Sequence, residues 1–358
     1  MFKRKPLPKG QPSPKSSWHA PPQDFDAVVF VHGILGSHAS TWGRFPELLS
    51  TDVDLPSLDL LSWGYSSGYV PGSYNDVATE GHALLSDLES HVRDGNDIYL
   101  LGHSMGGLVI LRGLVDRILD EKGQTPPVSQ IRWITLYASP LFGSAVANVV
   151  AFGLLLNKWA RLLSKVFPHK QLRDLRRGKF CDDLTRDVVR LVYRPLPQSL
   201  LVRRAIPVRA CAALHDQLVA RESAIGVFND PSPKDIDGTH GTVKLPEHHK
   251  DSRYLAFKND LESGLKDSFA RLCQQALGAP EMNDRYVAAQ RIDRQYGKMI
   301  ELCTATCFVG LEVTDARRRE IALIVWRLGA KGQAAPSQVM GRVIAEYNYR
   351  DDPRFRNG

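Results

Sequence analysis

The sequence predicts an α/β fold, a mostly parallel sheet flanked by helices, on three observations. Apolar runs of strand length recur at Ala27 to Val31, Asp97 to Leu101, Ile131 to Ala138 and Ile206 to Leu214. The run at Asp97 leads into Leu108, Val109, Leu111, Leu114, Val115 and Ile118 at helical spacing, so strand and helix alternate. The chain has 358 residues, 43% of them hydrophobic. That suffices for one body of about 250 residues with two ends left over.

The first end, residues 1–24, carries Lys3, Arg4, Lys5, Lys9 and Lys15 with no acid before Asp24, and prolines at 6, 8, 12, 14, 21 and 22. Such a composition cannot bury a core, and a flexible basic tail is expected. It lacks the apolar stretch of a secretion signal, and the cysteine count is odd at 5 (positions 181, 211, 273, 303 and 307). A reduced, cytoplasmic protein is expected. The cysteines include no C-x-x-C pair, so neither a metal nor another cofactor is suggested. Cys303 and Cys307, four apart, fit two small buried side chains on one helical face.

After the strand at Ala27 comes His32-Gly33-Ile34-Leu35-Gly36-Ser37. A glycine-rich turn there can aim a backbone N–H at an oxygen on which negative charge grows, although an ordinary strand-ending turn reads the same way. After the strand at Asp97 comes Gly102-His103-Ser104-Met105-Gly106-Gly107. A serine on a sharp strand-to-helix turn needs small neighbours two positions away, which Gly102 and Gly106 provide; the alternative is a helix N-cap. The nucleophile reading assigns an oxyanion hole to the N–H groups of Ile34 and Met105, each worth roughly 3 kcal/mol in the transition state.

With these two turns and Ala138-Ser139-Pro140-Leu141-Phe142-Gly143-Ser144, the chain resembles the α/β-hydrolase superfamily from about Val28 to Phe257. More narrowly it resembles the lipase-like serine esterases, the group that includes GPI inositol deacylases. The resemblance implies an α/β-hydrolase fold, a helical cap inserted after the strand at Ile131, and a Ser, Asp or Glu, His order along the chain. Downstream of Ser104, Asp216 stands at the carboxyl end of the strand at Ile206, with Glu222 as the alternative acid. Asp216 could instead start a turn or cap the helix suggested by Ala220 to Phe228.

The resemblance places the base in a loop followed by a Lys-Pro-like element and a last helix. His240, between Gly238-Thr239 and Gly241, is the candidate; His215 adjoins the acid, and His248 and His249 lie in a polar run. Ser104, His240 and Asp216 would then supply nucleophile, base and orienting acid for acyl transfer through an acyl-serine.

The expected cap spans about 142–205 and opens on the apolar run Ala145 to Leu156, too short to cross a bilayer. Residues 158–179 hold eight basic residues (Lys158, Arg161, Lys165, Lys170, Arg173, Arg176, Arg177 and Lys179) against Asp174, a balance equal to the whole chain's +7. Trp159, Leu162, Leu163, Val166 and Phe167 punctuate them, so the stretch suits an anionic membrane surface, or packs on the cap with its charges in water. Nucleic acid is disfavoured for want of a binding motif.

A last helix is expected over Ser252 to Leu277, then a boundary at Gly278-Ala279-Pro280. Residues 279–358 read as a small, mainly helical module with runs at Ala316 to Leu328 and Pro336 to Tyr347, and with Ile292 to Val309 ambiguous between helix and strand. It would bind a protein partner or a second copy, or simply pack on the body.

The leading function is hydrolysis of a carboxylic ester with an apolar, lipid-like acyl part. Thioesterase, amidase or acyltransferase activity would use the same three residues. A retired hydrolase frame serving as an interaction protein, or a multidomain effector gated by the C-terminal module, completes the set.

Overall fold

The computed structural model describes residues 16–34, 36–65, 76–122, 125–141, 178–193, 205–229, 231–307, 319 and 322. The expected cap and basic stretch therefore lie outside the described residues except for 178–193 and residue 205, as do residues 1–15 and the two C-terminal runs apart from Arg319 and Ala322. The described residues divide into two compact units, one within 1–48 and 59–260, the other within 49–58 and 261–358.

The first unit is built on a seven-stranded sheet: β1 (Ser17–Trp18), β2 (Ala27–Val31), β3 (Asp59–Trp63), β4 (Ile98–His103), β5 (Ile131–Tyr137), β6 (Val208–Ala213) and β7 (Lys234–Ile236). Their order is β1-β3-β2-β4-β5-β6-β7. Every pairing is parallel except β1 with β3. β2 and β4 are buried at every residue, as strands covered on both faces must be, so they read as unbroken apolar runs. In register, Val31 lies beside Gly102 and His103 beside Tyr137. The carboxyl ends of the central strands are therefore level, and the turns leaving them are neighbours.

Helices α1 (Phe45–Thr51), α2 (Val77–His91), α3 (Met105–Arg117), α4 (Gly178–Val188), α5 (Arg221–Ile225) and α6 (Ser252–Gly278) follow in chain order. The Asp76 carboxylate caps α2 by accepting the Thr79 N–H at 2.7 Å, and Val77, Leu84, Leu85 and Leu88 form its buried stripe. α3 is buried along most of its length, between Met105 and Val115. Arg209 of β6 holds Asp260 of α6 through two hydrogen bonds and reaches the Ser232 carbonyl with a third nitrogen.

Within the supposed flexible tail, Ser17 pairs with Ser62 and Trp18 with Leu61, while the His19 Nε2 and Ser62 hydroxyl meet at 2.8 Å. Two residues added to a sheet edge carry no periodicity that a sequence reading could find. The two compact units divide between Asp260 and Leu261, within α6, and Gly278-Ala279-Pro280 lies in the second. That unit also contains α7 (Met282–Cys307), which settles the ambiguous Ile292 run as helix through Cys307. Phe269 stacks on Tyr296 with centroids 4.9 Å apart, and the Ser57 N–H donates to the Gln295 carbonyl at 3.0 Å. Among the described residues no helix is long and apolar enough to cross a membrane.

Candidate active site

Ser104 occupies the one-residue turn between β4 and α3 at φ +53°, ψ −126°. A side chain rarely sits there, and the strain persists because the surroundings over-determine it. The Ser104 N–H donates to the Tyr137 carbonyl at 2.9 Å. A Cβ on Gly106 would overlap the Val31 and His32 carbonyl oxygens, so only glycine lets the start of α3 press against the end of β2. Ser104 stands at the N-cap position, yet its hydroxyl makes no capping bond. It meets His240 instead.

Asp216 leaves β6 through the Leu214-His215 turn. Its Oδ1 accepts the Leu218 and Val219 N–H groups at 2.8 and 2.9 Å, and its Oδ2 lies 2.9 Å from His240 Nδ1. The turn-forming role and the histidine-facing role are thus both filled, one oxygen each. His240 Nε2 is 3.0 Å from Ser104 Oγ. With Nδ1–H given to a carboxylate, Nε2 carries the lone pair and accepts the serine proton, a tautomer assigned from the network. The Asp216 side chain is 2% exposed and that of His240 11%, so the chain of hydrogen bonds is shielded from water on most sides.

The alternative residues are elsewhere. Glu222 is exposed on α5, and His215 is exposed beside Asp237 at 3.3 Å. His248 is exposed, and His249 donates from Nε2 to the Leu48 carbonyl at 2.9 Å.

The turn after β2 is fixed by a side chain that the motif reading treats only as a spacer. His32 Nδ1–H donates to the Gly33 carbonyl at 2.8 Å, and its Nε2 accepts the Tyr65 N–H at 3.3 Å. The Tyr65 hydroxyl donates to the His32 carbonyl at 2.8 Å, and the two rings stack 4.4 Å apart. Burial pushes the His32 pKa down to about 4, so the ring is neutral and one tautomer serves both bonds. A Cβ on Gly33 would come within 2.8 Å of Ser104 Cβ, so this turn lies directly against the serine. Ile34 follows in the same turn, and Met105 opens α3. The Met105 N–H belongs to the first helical turn, whose donors have no intrahelical acceptor and whose dipole favours negative charge.

Two further polar side chains reach the base loop without having been singled out in the sequence. His103 donates from Nε2 to the His240 carbonyl at 2.8 Å, and Lys244 Nζ donates to the Gly241 carbonyl at 2.5 Å. Burial first, then the Lys244 charge, holds the His103 pKa well below the ordinary histidine value; burial lowers Lys244 to about 8. His103 occupies the variable position of the glycine-x-serine motif, where no sequence signal separates it from a spacer. Lys244 was visible only as part of the Lys-Pro-like element.

A family model, that of the alpha/beta hydrolase family, matches residues 28–297, which take in the parallel strands of the sheet but for Ala27, and the side chains of Ser104, Asp216 and His240. The chain belongs to the α/β-hydrolase family. Among solved structures, this hydrolase-family chain is similar to mouse alpha/beta hydrolase domain-containing protein 10, at 16% identity over 70% of this chain and 94% of that one, TM-score 0.43. It is also similar to YbtT, the type II thioesterase of the yersiniabactin biosynthetic pathway, at 17% identity over 71% and 99%, TM-score 0.43. A third is the 2-hydroxy-6-oxo-6-phenylhexa-2,4-dienoate hydrolase of Rhodococcus sp. strain RHA1, at 16% identity over 72% and 98%, TM-score 0.40.

Proposed function

We propose that the protein is a serine hydrolase that cleaves carboxylic esters with an apolar acyl part, with Ser104 as nucleophile, His240 as base and Asp216 as orienting acid. The observation that carries this reading is the unbroken chain from Asp216 Oδ2 through His240 to Ser104 Oγ, at 2.9 and 3.0 Å, ending on a serine held in strained backbone. His240 takes the hydroxyl proton as Ser104 Oγ attacks the ester carbonyl carbon. Asp216 stabilises the imidazolium. The oxyanion is met by the N–H groups of Ile34 and Met105, the second also aligned with the dipole of α3. The carbonyl reforms as His240 gives the proton to the departing alkoxide, leaving an acyl-serine. Water, deprotonated by His240, then releases the acid and restores the serine.

The apolar acyl preference rests on the expected cap, which is long and rich in leucine, and with the three turns at His32, Gly102 and Ala138 it supports a place among the lipase-like serine esterases. The basic stretch 158–179 is proposed to hold the enzyme on anionic lipid.

Labelling by a fluorophosphonate, followed by a p-nitrophenyl ester series of rising chain length, tests the reading. Labelling of Ser104 and a turnover maximum at medium or long chains is expected. An unlabelled, inert wild-type protein would overturn it.

A further inference from the structure

The side chain immediately before the candidate nucleophile touches both of the other parts of the site. The His103 ring is buried, its Nε2–H ends on the main-chain carbonyl of His240, and its plane lies 52° from the His240 ring with centroids 4.9 Å apart. The opposite nitrogen faces the turn after β2: a Cβ on Gly33 would approach His103 Nδ1 to 3.1 Å and the His103 carbonyl to 2.9 Å. One imidazole therefore bridges the loop that carries the base and the turn that carries the Ile34 amide. Ser104 stands beside it in the chain.

The base loop has other ties near His240, among them the His215 N–H, which donates to the Gly238 carbonyl at 3.0 Å, and Arg253 Nη1, which donates to the Thr242 carbonyl at 3.3 Å. It is held by Lys244 Nζ on the Gly241 carbonyl, by the Thr239 N–H on Thr242 Oγ1 at 2.8 Å, and by local turn bonds from Thr242 and Val243 to the Thr239 carbonyl. These last run within the loop, whereas the His215 bond ties Gly238 to the turn after β6. The His103 bond runs from the loop to the sheet, spanning 137 residues of sequence.

We infer that His103 is a positioning residue for this reaction: its Nε2–H sets the His240 backbone at the distance and angle that let the His240 ring reach Ser104, while its body holds the Gly33-Ile34 turn against the serine. The inference rests on the serine-hydrolase reading of the site. It needs a neutral ring protonated on Nε2, since the bond to a carbonyl demands a donor there, and a buried ring between a histidine and a lysine is poorly placed to carry charge. A displacement of the base by a fraction of an ångström suffices to slow proton transfer, whereas substrate binding does not use this bond.

The test compares the full-length wild type with His103→Gln, His103→Asn, His103→Phe and Ser104→Ala. A glutamine amide nitrogen reaches about as far from the backbone as histidine Nε2, and an asparagine amide only as far as Nδ1. His103→Phe and His103→Asn should lose at least tenfold in kcat and in the rate of fluorophosphonate labelling, with KM unchanged; His103→Gln should recover to within about threefold of wild type. In the wild type, imidazole 15N chemical shifts should report His103 as a neutral, Nε2-protonated ring across the range of activity, a result that does not depend on any variant folding.

Equal labelling rates for wild type and a folded His103→Phe, or a His103→Gln no better than His103→Asn, would overturn the positioning role while leaving the serine-hydrolase reading intact. A His103 ring protonated on Nδ1 or charged in that range would do the same. A wild type that neither takes the label nor cleaves esters would overturn the hydrolase reading, and this inference with it.

Discussion

At the scale of single residues, the proposed reaction divides the site into groups that would act on the reacting atoms and groups that would hold those atoms still. Replacing Ser104 with alanine should abolish turnover by several orders of magnitude without unfolding the chain, since only one oxygen is lost; steady-state rates and circular dichroism on the same sample check both halves. Asp216→Asn should keep the turn bonds to Leu218 and Val219 on its remaining carbonyl oxygen, yet lower kcat by about 10³ to 10⁴, because the amide presents the wrong partner to His240 Nδ1–H.

His32 contributes to the loss of stability in acid, as the buried His103 does. The His32 pKa is about 4 in the folded chain against an ordinary 6.5, so the unfolded chain takes up the proton first as pH falls. The stabilisation is intact above about 6.5 and is withdrawn between 6.5 and 4, an amount on the order of 3 kcal/mol from this group. Urea midpoints at pH 7 and pH 4 should show it, and His32→Gln should reduce the difference, leaving the part due to His103.

At the scale of elements, the site is assembled from the carboxyl ends of β2, β4 and β6 and the loop beyond β7, so its geometry depends on how strands and helices are fastened. The fastening at β6 is the buried Arg209–Asp260 pair, which joins that strand to α6. Asp260→Ala leaves a guanidinium buried without its carboxylate and should lower stability by about 3 to 5 kcal/mol. Replacing both partners with apolar residues of similar volume should restore most of that loss, which a denaturation cycle over the four proteins measures.

The strands and helices that the sequence announced are the ones with enough residues to establish a period. β2 matches the expected run, β4 extends it by two residues to His103, and α6 ends one residue past its predicted limit. β3, with its five buried residues, and β7, three residues long with only Ile236 buried, were not anticipated: the first shows no alternation in burial, and the second is too short for any period. The predicted helix over Ala220 to Phe228 shrinks to Arg221–Ile225, because Gly226 takes φ +60° and ends it.

At the scale of the whole molecule, the second compact unit joins a short early segment, 49–58, to the chain beyond Asp260. Removing everything after residue 278 takes away Tyr296, which stacks on Phe269, and Gln295, whose carbonyl accepts the Ser57 N–H. The truncated protein should therefore melt several degrees below full length. An unchanged melting temperature would show that α7 contributes nothing to the rest. Neutralising Lys165, Arg173, Arg176 and Arg177 should weaken binding to anionic vesicles in a sedimentation assay and leave hydrolysis of a small soluble ester alone.

The sequence by itself determined the sheet's central strands, the glycine-flanked serine, and the identity of the three side chains that meet at hydrogen-bond distance, because each sits in a local pattern with a physical reason. Strand length, helical spacing and small neighbours at a tight turn are short-range properties. Only the tertiary structure decided that Asp216 divides its two oxygens between a turn and an imidazole, that His32 is held as one neutral tautomer by Tyr65, and that His103 reaches the loop of His240. Those contacts join residues 33 to 137 positions apart, or assign one side chain two partners at once, and neither is encoded in periodicity.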